Sequence, residues 1–324
     1  MNTLAKLGID VAKKTFHVVL RQHDKTRHKQ FANTAAGFAE LALWLVRYEQ
    51  TQVHAILEAT GIYSDALARF LHAAGHLVSV VNPARIKAFA KSHLVRTKND
   101  KLDADVIARF GEESKPEYWT PPAPEVVQLQ ALVRHLQALG ETRQQLRNRF
   151  TDGPQVEIVL LSLDKLIQQV ETEMEEVETQ IQQHIEQDPP LKERAELIES
   201  ITGLGAKTAA KLLGEIPPLA SYRHVEQVVA YAGLNPQEHQ SGTSVKSPPH
   251  ISKTGNAHVR HALYMPALVA TKHNPLIRTF AQRLEKRGLC KMSIITAVMR
   301  KLLHLVFGVL KTGKKFDPNY AVSA

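Results

Sequence analysis

The chain of 324 residues has one cysteine, Cys290. That excludes an internal disulfide and any zinc site built from several cysteines. Cys290 itself reads as a small core filler. Histidines number 16, but the only His-x-x-x-His pair is His72 and His76, broken by Gly75 and with no acid beside it. No zinc site is read there. No apolar run reaches about 18 residues, so no membrane span is expected. The N-terminus lacks the apolar core of a secretory signal, and a cytosolic protein is the expectation. Acids are scarce at one end of the chain: residues 241–324 hold 2 acids against 14 bases, whereas 155–199 hold 12 acids against 3 bases. With a net charge of +9, the chain is expected to meet a polyanion. The basic end and the bases near residue 96 should receive it, and the acidic middle should not.

The length allows two or three domains. Residues 4–9 and 16–20 read as strands of a hairpin turned at Val11-Ala-Lys-Lys14, with Asp10 near the end of the first strand. His28 to Ala32 reads as a third strand and Phe38 to Tyr48 as a helix with Phe38, Leu41, Leu45 and Tyr48 on one face. Val53 to Glu58 is a strand ending in an acid. A helix over 61–74, a strand over 77–81 and a helix opening at Pro83 follow. Strands alternating with helices after a meander indicate an α/β layer, whose active sites sit at strand ends. The stretch from Arg96 to Phe110 then sets Asp100, Asp103 and Asp105 among Arg96, Lys98, Lys101 and Arg109. On a helix, Asp100 and Asp103 share a face with Val106, Ile107 and Phe110, and Asp105 points away. Acids capping a solvated helix start would look the same. Two acids at strand ends plus an Asp-x-x-Asp helix also form a recurrent nuclease constellation, in which Mg²⁺ or Mn²⁺ ions clamp a phosphodiester.

Gly8-Ile-Asp10-Val-Ala-Lys-Lys-Thr-Phe16, Glu58-Ala-Thr-Gly-Ile-Tyr63 and Lys98-Asn-Asp100-Lys-Leu-Asp103-Ala resemble the DEDD transposases of the insertion sequence 110 family. The resemblance implies an N-terminal RuvC-like, ribonuclease-H-like domain whose acidic tetrad is Asp10, Glu58, Asp100 and Asp103. Asp105 falls outside the tetrad and reads as a surface acid.

Pro116, Pro121, Pro122 and Pro124 mark a boundary. Residues 126–150 read as a helix with Leu129, Leu132, Val133, Leu136 and Leu139 in an apolar stripe. Past Gly153-Pro154, Leu160, Leu163, Ile167, Val170, Met174, Val177 and Ile181 step by 3 and 4 up to a stop near Asp188-Pro-Pro190. Two long helices packed within one protomer and a coiled coil between protomers both satisfy this pattern. Helices flanking Gly203-Leu-Gly205, with Lys207 next, fit a helix-hairpin-helix that approaches DNA phosphates; a helix ending in glycine fits as well. Tyr222 to Ala232 is helical, 233–249 is a long polar loop, 262–271 is an apolar helix containing Pro266, and Phe280 to Leu310 reads as basic helix. Lys246, Lys253 and Arg260 are candidate phosphate contacts, with Asn256 and His258 lesser ones.

The resemblance covers nearly the whole chain. It implies three parts: the RuvC-like domain over 1–120, a helical coiled-coil segment over 121–190, and a mainly α transposase domain over 191–324. It further implies a catalytic serine in the pair Ser241-Gly242, in preference to Ser244 or Ser247, and Mg²⁺ at the tetrad. Donor and target DNA, a structured guide RNA (the bridge RNA) and further copies of the chain, from dimer to tetramer, are the implied partners. Specificity would then rest on base pairing, with the protein reading backbone and shape. A metal-dependent junction resolvase using activated water would need the tetrad and not Ser241. An actin-like ATPase also begins with strand, Asp and hairpin, but its Gly-rich phosphate turn is missing from Val11-Ala-Lys-Lys14.

Overall fold

The computed structural model describes residues 4–22, 25–93, 100–153, 155–218, 222–237, 240–241, 245–246 and 250–318; for Ile62, Asp100, Lys101, Gln240, Ser241, Val245 and Lys246 it describes the backbone alone. Arg96 and Lys98 therefore lie outside the described residues, as do Ser244 and Ser247. The chain divides into two compact units, Met1–Pro121 and Pro122–Ala324.

The first unit is a mixed sheet covered by helices. Its strands are β1 (Lys6–Val11), β2 (Thr15–Gln22), β3 (Lys25–Ala32), β4 (His54–Glu58) and β5 (Leu77–Val81). They lie in the order β3-β2-β1-β4-β5. The first three form an antiparallel meander, while β1, β4 and β5 run parallel. Helices α1 (Ala35–Arg47) and α2 (Ile62–Ala73) make the crossovers, and α3 (Pro83–Ser92) and α4 (Asp100–Ser114) follow β5. This mixed sheet is consistent with the ribonuclease-H-like domain expected from the motifs. Strand alternation divides the apolar residues between two faces. Leu7, Ile9, Val11 and Leu57 pack with Phe38, Leu41 and Leu67. Ile56 packs on the opposite face with Val106, Ile107 and Phe110. There Gly8 admits α4 to contact, since a Cβ at Gly8 would overlap the Ala104 carbonyl and the Ala108 amide. A buried relay ties the strands together. Lys6 Nζ lies 3.2 Å from His54 Nδ1, His54 Nε2 lies 2.8 Å from Ser79 Oγ, and Ser79 Oγ donates to the Glu117 carbonyl at 2.8 Å. With Lys6 donating to Nδ1, the proton of neutral His54 sits on Nε2 and is given to Ser79.

The second unit is helical. Helices α5 (Pro124–Asp152) and α6 (Glu157–Gln187) form an antiparallel hairpin, each about 45 Å long at 1.5 Å per residue. Of the two arrangements open at the sequence level, the stripes meet within one chain. Leu146 packs with Leu163 and Ile167 in the outer part of the hairpin. Leu129, Val133 and Leu136 meet Val177 and Ile181 in the core that also holds the later helices. These are α7 (Pro189–Glu199), α8 (Ala206–Glu215), α9 (Val225–Tyr231), α10 (Ala257–His273), α11 (Pro275–Lys286) and α12 (Lys291–Thr312). Asp188 stops α6 and caps α7, its side chain accepting the Leu191 amide at 2.8 Å, with Pro189 in the first turn.

Three sequence expectations for the second unit need correction. The helix read over 280–310 is two helices, broken where Gly288 takes φ +80° between α11 and α12. Cys290 is exposed at the start of α12 and is no core filler. The polar loop of 233–249 is partly β-structured. Strands β6 (Pro236–Gln237) and β9 (His250–Ile251) pair, and β7 (Gln240–Ser241) pairs with β8 (Val245–Lys246) between them, both antiparallel. The ladders are nested, so the stretch folds back on itself as an arm. Helix α12 has the length and hydropathy of a membrane span, yet Val298, Leu302, Leu303 and Val306 are buried in the core of this unit.

Candidate active site

The candidate acids of the first unit are brought to one end of the sheet by register and by the direction of α4. Asp10 follows Gly8 by two positions on β1, and Glu58 follows Ile56 by two on β4, so both carboxylates project from the face that α4 covers. Ile9 stands opposite Leu57 in the parallel ladder, which sets Asp10 and Glu58 side by side on strands about 4.8 Å apart. Both are half-buried. Helix α4 runs antiparallel to β1. Arg21, next to the start of β1 through its pairing with Lys6, reaches Asp105 at 2.9 Å and Glu112 at 3.1 Å farther along the helix. The first turn of α4, with Asp100 and half-buried Asp103, therefore lies at the carboxyl ends of β1 and β4. Asp103 shares the face of Ile107, and Asp100 stands one turn before Ala104, which touches the sheet.

Asp105 is not the surface acid read from the sequence. It is half-buried and paired with Arg21, because the side of α4 turned from the tetrad lies over β2 and not over solvent.

Among the described residues, no three His, Cys, Asp or Glu side chains gather closely enough to hold an ion on their own; the Asp100 carboxylate is not part of that set. The donor chemistry fits a hard divalent cation, since the half-buried acids Asp10, Glu58 and Asp103 offer carboxylate oxygens at this end of the sheet. Thr60 Oγ1, two residues past Glu58, is buried without a hydrogen-bond partner, so the protein alone leaves a polar group unsatisfied there.

The other candidate residues belong to the second unit, except Lys101, whose backbone lies in the first turn of α4. Ser241 pairs through its backbone with Val245, and Lys246 pairs with Gln240, in the inner ladder of the arm. Lys253 is exposed at φ +53°, and its amide donates to the Gly233 carbonyl at 3.2 Å. Arg260 Nη1 donates to the carbonyls of Ala232 at 2.9 Å and Gly255 at 3.3 Å, so part of its guanidinium holds the chain itself. Gly203 takes φ +106° and turns towards α10, where a Cβ would come within 2.8 Å of Ala270 Cβ; the packing of α10 explains this glycine without a phosphate. Gly205 stands open before the first turn of α8, and Lys207 pairs with Glu178 of α6 at 2.7 Å. His258 Nδ1 lies 2.8 Å from Gln137 Oε1.

One cluster escaped the sequence reading. Glu215 at the end of α8 is buried, and Arg134 of α5 grips its carboxylate at 2.6 and 2.9 Å. Asn256 Nδ2 donates to the same carboxylate at 2.8 Å, and the Tyr231 hydroxyl donates to the Glu215 carbonyl at 2.9 Å. The bond to Glu215 outweighs desolvation and raises the Arg134 pKa, while burial raises that of Tyr231. The only sequence signal was an acid closing the apolar run Ala209-Ala-Lys-Leu-Leu-Gly-Glu215, and nothing there names its partners.

A model of DEDD transposases of IS110 matches residues 7–152, which span all four acids. A second, for transposases of the IS116/IS110/IS902 family, matches 195–282, which include Ser241. Pilin gene-inverting proteins of Moraxella bovis and Moraxella lacunata are each 36% identical to the chain over 96% of its length and 97% of theirs. The chain belongs to the IS110 family of transposases. The transposase of insertion element IS1328 from Yersinia enterocolitica is 23% identical over 88% of this chain and 86% of its own. This transposase is thus a DNA recombinase, and its DEDD domain points to dependence on a divalent metal.

Proposed function

We propose that this transposase cuts and rejoins DNA at a composite site made from the tetrad Asp10, Glu58, Asp100 and Asp103 and from Ser241 as nucleophile. The observation that carries the reading is the convergence of the β1 end, the β4 end and the first turn of α4. Carboxylates brought to one end of a sheet repel one another, and a divalent cation relieves that repulsion. Asp10, Glu58, Asp100 and Asp103 would hold Mg²⁺ or Mn²⁺, which supplies charge neutralisation to the phosphodiester. Ser241 Oγ bonds to phosphorus as the bond from phosphorus to the 3′ oxygen breaks, and the serine proton balances the released 3′ hydroxyl. The phosphoserine ester keeps the energy of the broken bond, so the reverse step joins a new 3′ end without ATP. Lys101, Lys246 and Lys253, with the unspent part of Arg260 and the bases Arg96 and Lys98, neutralise phosphate oxygens. Gly205 and Lys207 offer a further backbone contact at the start of α8 beside Gly203.

Four acids and a serine on two separate units require that the units be brought together, by one chain or by two. A multimer meets that need. Ile158 and Leu161 near the hairpin turn are 75% and 58% exposed, an apolar surface suited to a further copy of the chain. A guide RNA pairing with donor and target DNA would supply specificity, in keeping with a protein whose bases are concentrated at one end. The name of the Moraxella relatives points to DNA inversion, which needs the same two cuts and two rejoinings as insertion. The reaction would take place at the nucleoid of a prokaryotic cytoplasm.

The test combines protein, copurifying RNA, Mg²⁺ and end-labelled DNA, followed by denaturing electrophoresis. A protein–DNA adduct mapped to Ser241 is expected, and Ser241→Ala should lose adduct and recombinant while still binding DNA. Recombination by Ser241→Ala, or an adduct at Ser244, Ser247 or a tyrosine, would remove the serine and leave the water-using resolvase.

A further inference from the structure

We infer that Glu215 is a positioning residue for the arm that carries Ser241; this rests on the proposed role of that serine. The arm is rooted at Tyr231–Leu234 and at Ile251–Asn256, where Leu234 and Ile251 pack on the core, and Tyr231 and Asn256 of the two roots meet at Glu215. The outgoing root is held by the Tyr231 hydroxyl on the Glu215 carbonyl at 2.9 Å. The returning root is held by Asn256 Nδ2 on the Glu215 carboxylate at 2.8 Å. Asn256 Nδ2 also donates to the Tyr231 hydroxyl at 3.1 Å, and the Asn256 amide to the Tyr231 carbonyl at 2.7 Å, so the roots are tied to each other as well.

The crossing is too tight for any side chain. A Cβ at Gly255, where φ is +154°, would overlap the Tyr231 carbonyl. Above it the roots are linked by the Lys253 amide on the Gly233 carbonyl, and by the Ser252 amide and hydroxyl on the Asn235 carbonyl and Oδ1 at 3.0 and 2.6 Å. The base of the arm is thus tied from Tyr231 to Asn235 on one side and from Ser252 to Asn256 on the other, below the ladder of β6 and β9.

Glu215 suits this task because it is buried and held from two sides. Its side chain is 2% exposed, and its carboxylate is gripped from the other side by Arg134 of α5. A buried network with all its members satisfied specifies one geometry. A plain cap of α10 would need only Asn256 Oδ1, which already accepts the amides of His258 and Val259; the bond to Glu215 uses the other end of the amide. Ser241 is carried on this base, and a misplacement of about 1 Å at a reacting atom costs about 100-fold in rate.

The experiment measures the arm and the chemistry separately. Spin labels at Thr243→Cys and Glu193→Cys, in a Cys290→Ser background of the full chain with its RNA, report the distance between arm and core. Asn256→Asp keeps the cap of α10, removes the donor to Glu215 by setting a second carboxylate against it, and should broaden that distance distribution. It should also lower the single-turnover rate of adduct formation at saturating DNA about 100-fold, with DNA affinity changed less than 2-fold. Glu215→Gln combined with Asn256→Asp reverses donor and acceptor, keeps the cap of α10, and should narrow the distribution and recover most of the rate. Tyr231→Phe, which deletes one hydroxyl, gives the same readouts in smaller measure if Asn256→Asp folds poorly. Unchanged distance and rate in Asn256→Asp, or a rate loss that vanishes on correction for the folded fraction with the distribution still narrow, would overturn the inference. If Ser241 proves not to be the nucleophile, the distance measurement still decides whether Glu215 sets the arm.

Discussion

Asp103 and Asp105 are two positions apart and have opposite tasks. Asp103 lies at the strand ends with Asp10 and Glu58, whereas Asp105 is turned to Arg21. Alanine at Asp10, Glu58, Asp100 or Asp103 should abolish recombination and leave the fold intact. Asp105→Ala should keep most activity and lose about 1–2 kcal/mol of stability, as expected for an ion pair between surface and core; strand-exchange assays and urea unfolding separate the two classes. An inactive Asp105→Ala beside an active Asp100→Ala would reassign the tetrad. His54 makes a second residue-level point. Burial, helped by the charge of Lys6, pushes its pKa from 6.5 down to about 4. The unfolded chain takes up this proton below about pH 6.5, and the folded chain refuses it until about pH 4. Stability is therefore complete above that window and falls as pH drops through it, by up to about 3 kcal/mol. His54→Gln should flatten this part of the profile in urea melts between pH 7 and 4.5.

At the scale of elements, the decisive contact is α4 on β1. Gly8 is needed there because the Ala104 carbonyl and Ala108 amide occupy the space of a side chain. Gly8→Ala should push the helix from the sheet, cost about 1–3 kcal/mol as overpacking does, and displace Asp100 and Asp103. Thermal melts should show the loss, and adduct formation should fall further than the folded fraction. Full activity in Gly8→Ala would show that the tetrad does not need this helix seat. The elements themselves were largely legible. Leu77–Val81 is the expected strand, and α2 and α6 occupy the periodic runs read from the sequence. The arm was not, because its ladders are two residues long and lack an alternating apolar pattern.

For the whole molecule, charge segregation leads to a measurable expectation. Binding to DNA or RNA should weaken steeply between low and physiological salt, because each neutralised phosphate releases counterions. Lys253→Ala should reduce the slope of log affinity against log salt by about one. Arg260→Ala is a poorer probe of charge alone, since Nη1 also holds Ala232 and Gly255 at the arm root. Affinity that ignores salt would count against the basic end as the nucleic-acid surface.

The sequence by itself determined the strand-end acids, the Asp-x-x-Asp helix, the two long apolar stripes and the sense of the charge. Each is written in a window of a few residues, where a period of 2 or 3.6 or a motif carries the information. Tertiary structure alone decided that α4 runs against β1, that Arg21 takes Asp105, that Gly203 faces Ala270, and that the two stripes close on each other within one chain. It alone placed Glu215 where Arg134, Asn256 and Tyr231 meet, residues 81, 41 and 16 positions away. Buried polar groups must find partners wherever packing brings them, and no local pattern records which distant residue will arrive.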